Sequence, residues 1–357
     1  MSGWAVLGGK ESIGMAEKQK RTVTQYDVAR EAGVTRSMVS YVISGNTERS
    51  VAPETRRRIL EVIDRLGYRP NKAAQALQQG DVALASKQIG LVLCNADVFR
   101  RPYYAEIIAG IHTAAHEHSH HIRFIRFFEE LKNPVLFNEL IHPEEIGGLI
   151  LVSTDQCIRT EQDKKLIQHI RERIQKIVCV EWVYEGLSSV VFDRHNTGYK
   201  AACHLFECGY NDIAYIGEND DRLRGALLAV QEHGGEPSAM HKEFAYNMEG
   251  GYAAIGQLHK SVQGLPRAIV CGSDEVAVGV LCYLNERHIA VPAQVALISI
   301  DNIEISGYTT PPLTTMNVQK NSMGFRAVEM IVNNTAGQDE SALNIVIPAE
   351  IVVREST

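Results

Sequence analysis

The stretch TQYDVAREAGVTRSMVSYVI, residues Thr24–Ile43, reads as two short helices joined by a tight turn. Val28, Ala29 and Ala32 give the first helix an apolar face small enough for a close crossing. Gly33 stands where a chain can take φ > 0 and turn sharply. Thr35 can cap the second helix by accepting from a backbone N–H a turn later. Val39, Val42 and Ile43 then face inward, and Arg36, Ser37, Ser40 and Tyr41 face out. This is the pattern of a helix-turn-helix whose second helix offers hydrogen-bonding side chains to a DNA major groove. A surface helical hairpin without a partner has the same outline.

Charge separates the two readings. Residues 1–80 hold 13 Lys+Arg and 8 Asp+Glu, leaving 23 and 35 for the rest of a chain whose net charge is −7. A basic head on an acidic body suits a polyanionic partner for the head alone. A third head helix should begin at Pro53, with Glu54 at the positive end of its dipole. Ile59, Val62, Ile63 and Leu66 form an i, i+3, i+4, i+7 stripe that covers the first two helices, and Gly67 ends it. The head then spans 22–68. The segment 69–80 follows, and its Ala- and Gln-rich part has Leu77 as its one large apolar residue. It cannot hold a helix alone and should fold only against a partner.

From Ile89 short apolar strands alternate with amphipathic helices, the pattern of parallel sheets covered on both faces. Strands are expected at 89–94, 122–127, 148–152, 177–180, 190–192, 212–216, 268–271, 295–300 and 345–353. These are too many for one comfortable sheet, so two lobes are expected, with a site at strand carboxyl ends between them. No apolar run approaches the ~18 residues of a membrane span. Residues 1–21 lack a long apolar core and read as a disordered lead, with Met15 as an alternative start. The seven cysteines contain no Cys-x-x-Cys pair and read as reduced thiols of a cytoplasmic protein.

Ordered motifs then make the reading specific. Val23–Ala29 with Val34–Ser40, Pro53-Glu54-Thr55-Arg56 and Leu66–Asn71 lie in the head. Pro102–Ile107, Arg222-x-x-Gly225, Gly272–Gly279, Ile300-Asp301-Asn302 and Pro311–Thr315 lie in the body. Residues 22–354 thereby resemble the lactose-repressor-type (LacI/GalR) family of bacterial regulators. The resemblance implies an all-α helix-turn-helix head with a hinge helix, followed by an α/β two-lobed, periplasmic-binding-protein-like effector domain. It implies a homodimer, or a tetramer, on double-stranded, near-palindromic operator DNA, with no membrane association and no cofactor. It places an N-terminal lobe at 87–192 plus 319–337 and a C-terminal lobe at 193–318 plus 343–354. The lobes are joined by crossings near Asp193, near Val318 and at 337–343. Arg36, Ser37 and Tyr41 fall at base-reading positions, and a bidentate Arg–guanine contact discriminates by about 1–3 kcal/mol. Thr24, Thr35, Ser40 and Asn46 suit phosphates, and Leu77 matches a minor-groove wedge. Two departures stand out: Tyr41 replaces a usual Arg, and Ala52 replaces a Ser or Thr cap of the third helix.

For the cleft, the expected effector-binding residues are Tyr103, Tyr104, Glu181, Trp182, Arg222, Tyr246, Ser273 and Asp301. Asp301 would accept from adjacent hydroxyls, Arg222 would donate, and Ser273 with Asp274 would cap a helix. The aromatics would stack on a sugar or a base, with plain core packing as the alternative for each. A small-molecule effector is expected, a sugar before a nucleobase or sugar phosphate. The other function weighed is a sugar-binding module without DNA contact. The run His112, His116, His118, His120, His121 invites a metal reading but is expected to be a solvated helix face, with no metal bound. No nucleophile elbow, phosphate loop or dinucleotide fingerprint is present, so the chain is not expected to be an enzyme.

Overall fold

The computed structural model describes residues 23–43, 51–68, 85–235, 240–261 and 264–357, in two compact units that divide near residue 75. The first unit holds helices α1 (Gln25–Ala32), α2 (Arg36–Ile43) and α3 (Pro53–Leu66). Thr24 and Asp27 form a reciprocal capping box at the start of α1, and Gly33 closes it with φ 63°. Val28, Val39, Ile59 and Ile63 are fully buried and make the core of this small unit. Ala52 contributes no side-chain cap to α3, as its residue type dictates.

The second unit alternates strand and helix. In chain order its first elements are β1 (Gln88–Leu93), α4 (Pro102–Glu117), β2 (His121–Phe127), α5 (Pro134–Leu140), β3 (Gly148–Val152), α6 (Glu161–Arg173), β4 (Ile177–Val180) and β5 (Ser188–Phe192). There follow α7 (Arg194–Glu207), β6 (Ile213–Gly217), α8 (Asp221–Glu232), β7 (Lys242–Phe244), α9 (Met248–Ser261), β8 (Ala268–Cys271), α10 (Asp274–Glu286), β9 (Ala296–Asp301) and β10 (Thr314–Asn317). The last are α11 (Lys320–Val332), β11 (Asn344–Ile347) and β12 (Glu350–Val352). Two six-stranded sheets result, ordered β11-β5-β4-β3-β1-β2 and β12-β10-β9-β8-β6-β7. All pairings are parallel except β10 with β12. The central strands are buried on both faces, which explains their near-continuous Ile, Leu and Val.

The chain passes between sheets three times: after β5, after β10, and between β11 and β12. The last passage corrects the expectation of one strand at 345–353 inside a 343–354 piece of the C-terminal lobe. Asn344–Ile347 pairs with β5 in the first sheet, and Glu350–Val352 pairs with β10 in the second. The crossing therefore falls at Pro348-Ala349 rather than at 337–343. Proline has no N–H to give a ladder, so the apolar run breaks there. β7 and β10 escaped the sequence reading, being short (β7) or rich in Thr and Asn (β10).

Helix pairs lock through glycine. A Cβ on Gly198 of α7 would lie 1.9 Å from the Arg222 carbonyl oxygen, and one on Gly225 of α8 would lie 1.9 Å from that of His195. The two helices thus touch backbone to backbone, and no side chain fits between them. Gly225→Ala is expected to force α7 and α8 apart and cost at least about 2 kcal/mol. Thermal melting of the variant checks this; an unchanged melting temperature would contradict the packing described.

Candidate effector cleft and DNA-reading head

The second unit contains a cleft where the carboxyl ends of strands from both sheets meet. The first sheet contributes Tyr103 and Tyr104 from α4 and Glu181 from the end of β4. The second contributes Arg222 from α8, Tyr246 after β7, Ser273 after β8 and Asp301 at the end of β9. Seven of the eight expected residues therefore line one space. Trp182 does not. Its Nε1 donates to the Leu151 carbonyl at 3.1 Å, and its ring packs in the core on the other side of the first sheet. Glu181 and Trp182 are neighbours at the end of β4, and their side chains lie on opposite sides of the sheet.

Charges in the cleft come in pairs. Tyr103 donates its hydroxyl proton to Glu181 Oε1 at 2.6 Å, and Arg194 Nη2 donates to Glu181 Oε2 at 2.8 Å. Arg222, 8 % exposed, donates to the Gly272 carbonyl at 2.6 Å and to both Asp220 and Glu218. Arg101 reaches from the first lobe to Glu275 at the start of α10, 2.7 Å away, and lies over the Tyr104 ring. The guanidiniums are thus all occupied by carboxylates of the protein. Arg194, Arg101, Glu218, Gln156 and Phe192 also line the cleft and were absent from the expected set. Arg194 follows a crossing, where no periodicity marks a residue as inward.

Asp301 differs from every other charge here. It is 4 % exposed, and among the described residues its carboxylate has no hydrogen-bond partner. Burial, then the neighbouring Asp274, pushes its pKa well above the ordinary carboxylate value. Its backbone is held at φ 118°, and Asn302 at φ 54°. The buried Lys320 ammonium accounts for this turn: it donates to the carbonyls of Asp301 and Asn302 and to that of Val318 at 3.1 Å. Asp274 fixes the same corner from behind, accepting from Ser299 Oγ, Thr315 Oγ1 and the Ile303 N–H at 2.5, 2.6 and 2.7 Å. Ser273, not Asp274, caps α10, accepting from Val276 N at 3.3 Å. Lys320 and Asp274 are the positioning residues behind the site. Nothing in the pattern of a single Lys after a strand announces that role.

In the first unit, Arg36 and Ser37 are exposed at the start of α2, with Ser40 and Tyr41 half-buried along it. Thr35 accepts from Met38 N at 3.3 Å, and the Thr24 hydroxyl is engaged in its capping box. Arg36 Nε donates to the Gln25 side chain at 3.3 Å, and Gln25 also bonds the buried Tyr68 hydroxyl. Gln25 and Tyr68 thus hold Arg36 in place, a link between residues 43 positions apart that spacing does not reveal. Asn46 and Leu77 lie outside the described residues. His112 and His116 are exposed on α4, and among the described residues no cluster has the makings of a metal site. Among those residues, too, no helix is long and apolar enough to cross a membrane.

Comparison with known proteins fits both units. Residues 24–71 match the bacterial regulatory proteins of the lacI family, and residues 202–357 match a periplasmic binding protein-like domain. The HTH-type transcriptional repressor PurR of Haemophilus influenzae (strain PittEE) is 30% identical over 349 residues, covering 92% of this chain and 97% of that protein. The PurR repressor of Edwardsiella ictaluri is 28% identical over 340 residues, covering 92% and 95%. Among solved structures, a CelR–cellobiose complex matches with TM-score 0.64 at 24% identity, covering 94% of this chain and 100% of that one. A lac repressor dimer bound to operator and the anti-inducer ONPF matches with TM-score 0.64 at 22% identity, covering 94% and 99%. The chain belongs to the lacI family of bacterial regulatory proteins. It is a DNA-binding transcriptional repressor with an effector domain, and not an enzyme.

The corner behind Asp301 makes a pH prediction. Burial raises Asp274 from 3.8 to about 6 in the folded protein. A carboxylate raised on folding favours the folded state fully below its unfolded pKa and loses that contribution as pH rises through its folded one. The melting temperature of the wild type relative to Asp274→Asn should therefore fall between pH 4 and pH 6.5. A difference that stays constant over that range would contradict the burial assigned to Asp274.

Proposed function

We propose that the chain is a homodimeric repressor whose operator grip is set by a neutral, donor-rich small molecule, a sugar, bound between the lobes. The observation that carries this reading is the buried Asp301 carboxylate, which faces the cleft without a hydrogen-bond partner among the described residues. A buried acceptor of that kind costs free energy until a ligand supplies donors. Adjacent sugar hydroxyls do so in pairs. Arg101, Arg194 and Arg222 argue against a sugar phosphate, because each is already neutralised by Glu275, Glu181, Asp220 or Glu218. Structural neighbours include regulators holding cellobiose and ribose, which supports the same class. A nucleobase is the second reading, favoured by the ring of Phe192 and the 64 % exposed Tyr246 at the cleft.

On the DNA side, Arg36, Ser37 and Tyr41 are assigned to base edges, and Thr24, Thr35, Ser40 and Asn46 to phosphates. Leu77, in the hinge segment 69–80, is assigned to the minor groove. The ligand must distinguish two states of the dimer, and a tenfold release of DNA requires about 1.4 kcal/mol of differential affinity. Work beside the genome places the protein in the cytoplasm.

The test begins with selection of an operator from genomic fragments, followed by thermal-shift screening of sugars, nucleobases and sugar phosphates. A neutral sugar should raise the melting temperature and change operator affinity. Asp301→Ala should abolish both effects while leaving ligand-free operator binding intact. A response confined to phosphorylated compounds would overturn the reading. Arg36→Ala should weaken the selected operator about 5- to 150-fold, corresponding to about 1–3 kcal/mol, with little change on random duplex. Equal loss on both would show that Arg36 contacts phosphate only.

A further inference from the structure

Cys94 directly follows β1, and Cys157 ends the short turn Thr154–Cys157 that leaves β3. The structure joins them in a disulfide, with Cα atoms 5.9 Å apart, a separation that bridged cysteines commonly show. This corrects the expectation that all cysteines are reduced; Cys179, Cys203, Cys208, Cys271 and Cys282 remain thiols. β1 and β3 are hydrogen-bonded neighbours, so the bridge ties together the two loops at their carboxyl ends. Those loops form the first-lobe wall of the cleft. One leads to Arg101, Tyr103 and Tyr104, and the other carries Gln156. Ser153 on the second loop donates to the Tyr104 hydroxyl at 3.0 Å, a polar link beside the covalent one.

The two sulfurs differ in access. Cys94 is 4 % exposed, whereas Cys157 is half-buried. A reachable thiol beside a buried one is the arrangement of an attacking and a resolving cysteine. A DNA-binding regulator works where thiols are kept reduced, and there a disulfide is transient and redox-sensing rather than structural. That step rests on the family membership given above, and the chemistry of the pair does not depend on the effector.

We propose that Cys94 and Cys157 are a reversible redox-modification site through which hydrogen peroxide stiffens the first-lobe wall of the effector cleft. The Cys157 thiolate attacks the terminal peroxide oxygen, the O–O bond breaks, and Cys157 becomes a sulfenic acid as water leaves. The Cys94 thiolate then attacks that sulfur, the S–O bond breaks, and a second water carries off the oxygen. Two thiols and one H2O2 become one disulfide and two waters. A small dithiol reverses the step by exchange.

The test uses the full chain, reduced with dithiothreitol, freed of it and treated with hydrogen peroxide. Mass spectrometry should find a peptide linked through 94 and 157, absent after renewed dithiothreitol treatment of the native protein. Cys94→Ser should give no linked peptide and a Cys157 sulfenic acid that dimedone traps. Hydrogen exchange over residues 94–104 and 150–158 should slow roughly threefold or more on oxidation, and not in Cys94→Ser. No link after peroxide, a link that dithiothreitol cannot open in the native protein, or a link without slower exchange would each overturn the proposal. Neither DNA nor effector enters these measurements, so failure of the proposed function leaves their outcome readable.

Discussion

An ionised group taken out of water costs several kcal/mol unless a partner and well-placed hydrogen bonds offset the loss. The junction of the two sheets gathers Glu181, Arg194, Asp220, Arg222, Asp274, Asp301 and Lys320 in largely buried positions. The architecture there follows from how each is compensated. Glu181 sits between Tyr103 and Arg194, Arg222 between Asp220 and Glu218, and Asp274 under three neutral donors. Lys320 spends its ammonium on backbone carbonyls that a positive-φ turn would otherwise leave bare. Among the described residues Asp301 alone is left over, and the protein has built a rigid corner around it. A carboxylate held so firmly yet given no donor is an acceptor prepared for something that arrives from outside.

The same pairs join the lobes. Glu181 and Arg194 come from opposite sides of the first crossing, Arg101 and Glu275 from facing walls of the cleft, and Lys320 and Asp301 from either side of the second crossing. Any ligand that satisfies Asp301 acts on a network in which these interlobe contacts are already balanced against one another. A modest differential affinity is then enough to bias one arrangement of the lobes over another. The head solves a smaller problem in a similar way. Gln25 bonds both Tyr68 and Arg36, so a long, flexible guanidinium is presented from a fixed base.

Much of this was readable beforehand, and the limits are physical. The period-3.6 stripes, the Gly33 turn and the double-sided apolar strands identify the head helices and most of the sheets, because burial writes itself directly into hydrophobic pattern. Tyr103, Arg222, Ser273 and Asp301 were legible since they follow apolar strands or open helices at their ends. Trp182 was misplaced because adjacent residues at a strand end face opposite sides of the sheet, so Glu181 and Trp182 cannot both enter the cleft. β7 and β10 were lost for want of length or hydrophobicity. Lys320, Arg194 and the Cys94–Cys157 bridge depend on contacts between residues far apart in the chain, which local sequence pattern does not encode.

The most direct test of the central claim is calorimetric titration of the protein with the sugar found by screening, in buffers of different ionisation enthalpy, between pH 5 and pH 8. If ligand hydroxyls satisfy an ionised Asp301, its raised pKa must fall on binding, and ligand uptake is accompanied by proton release. Proton release that disappears in Asp301→Asn is the result this account requires. Binding of full strength with no proton exchange at any of these pH values would mean that the unpaired carboxylate is not what the ligand meets.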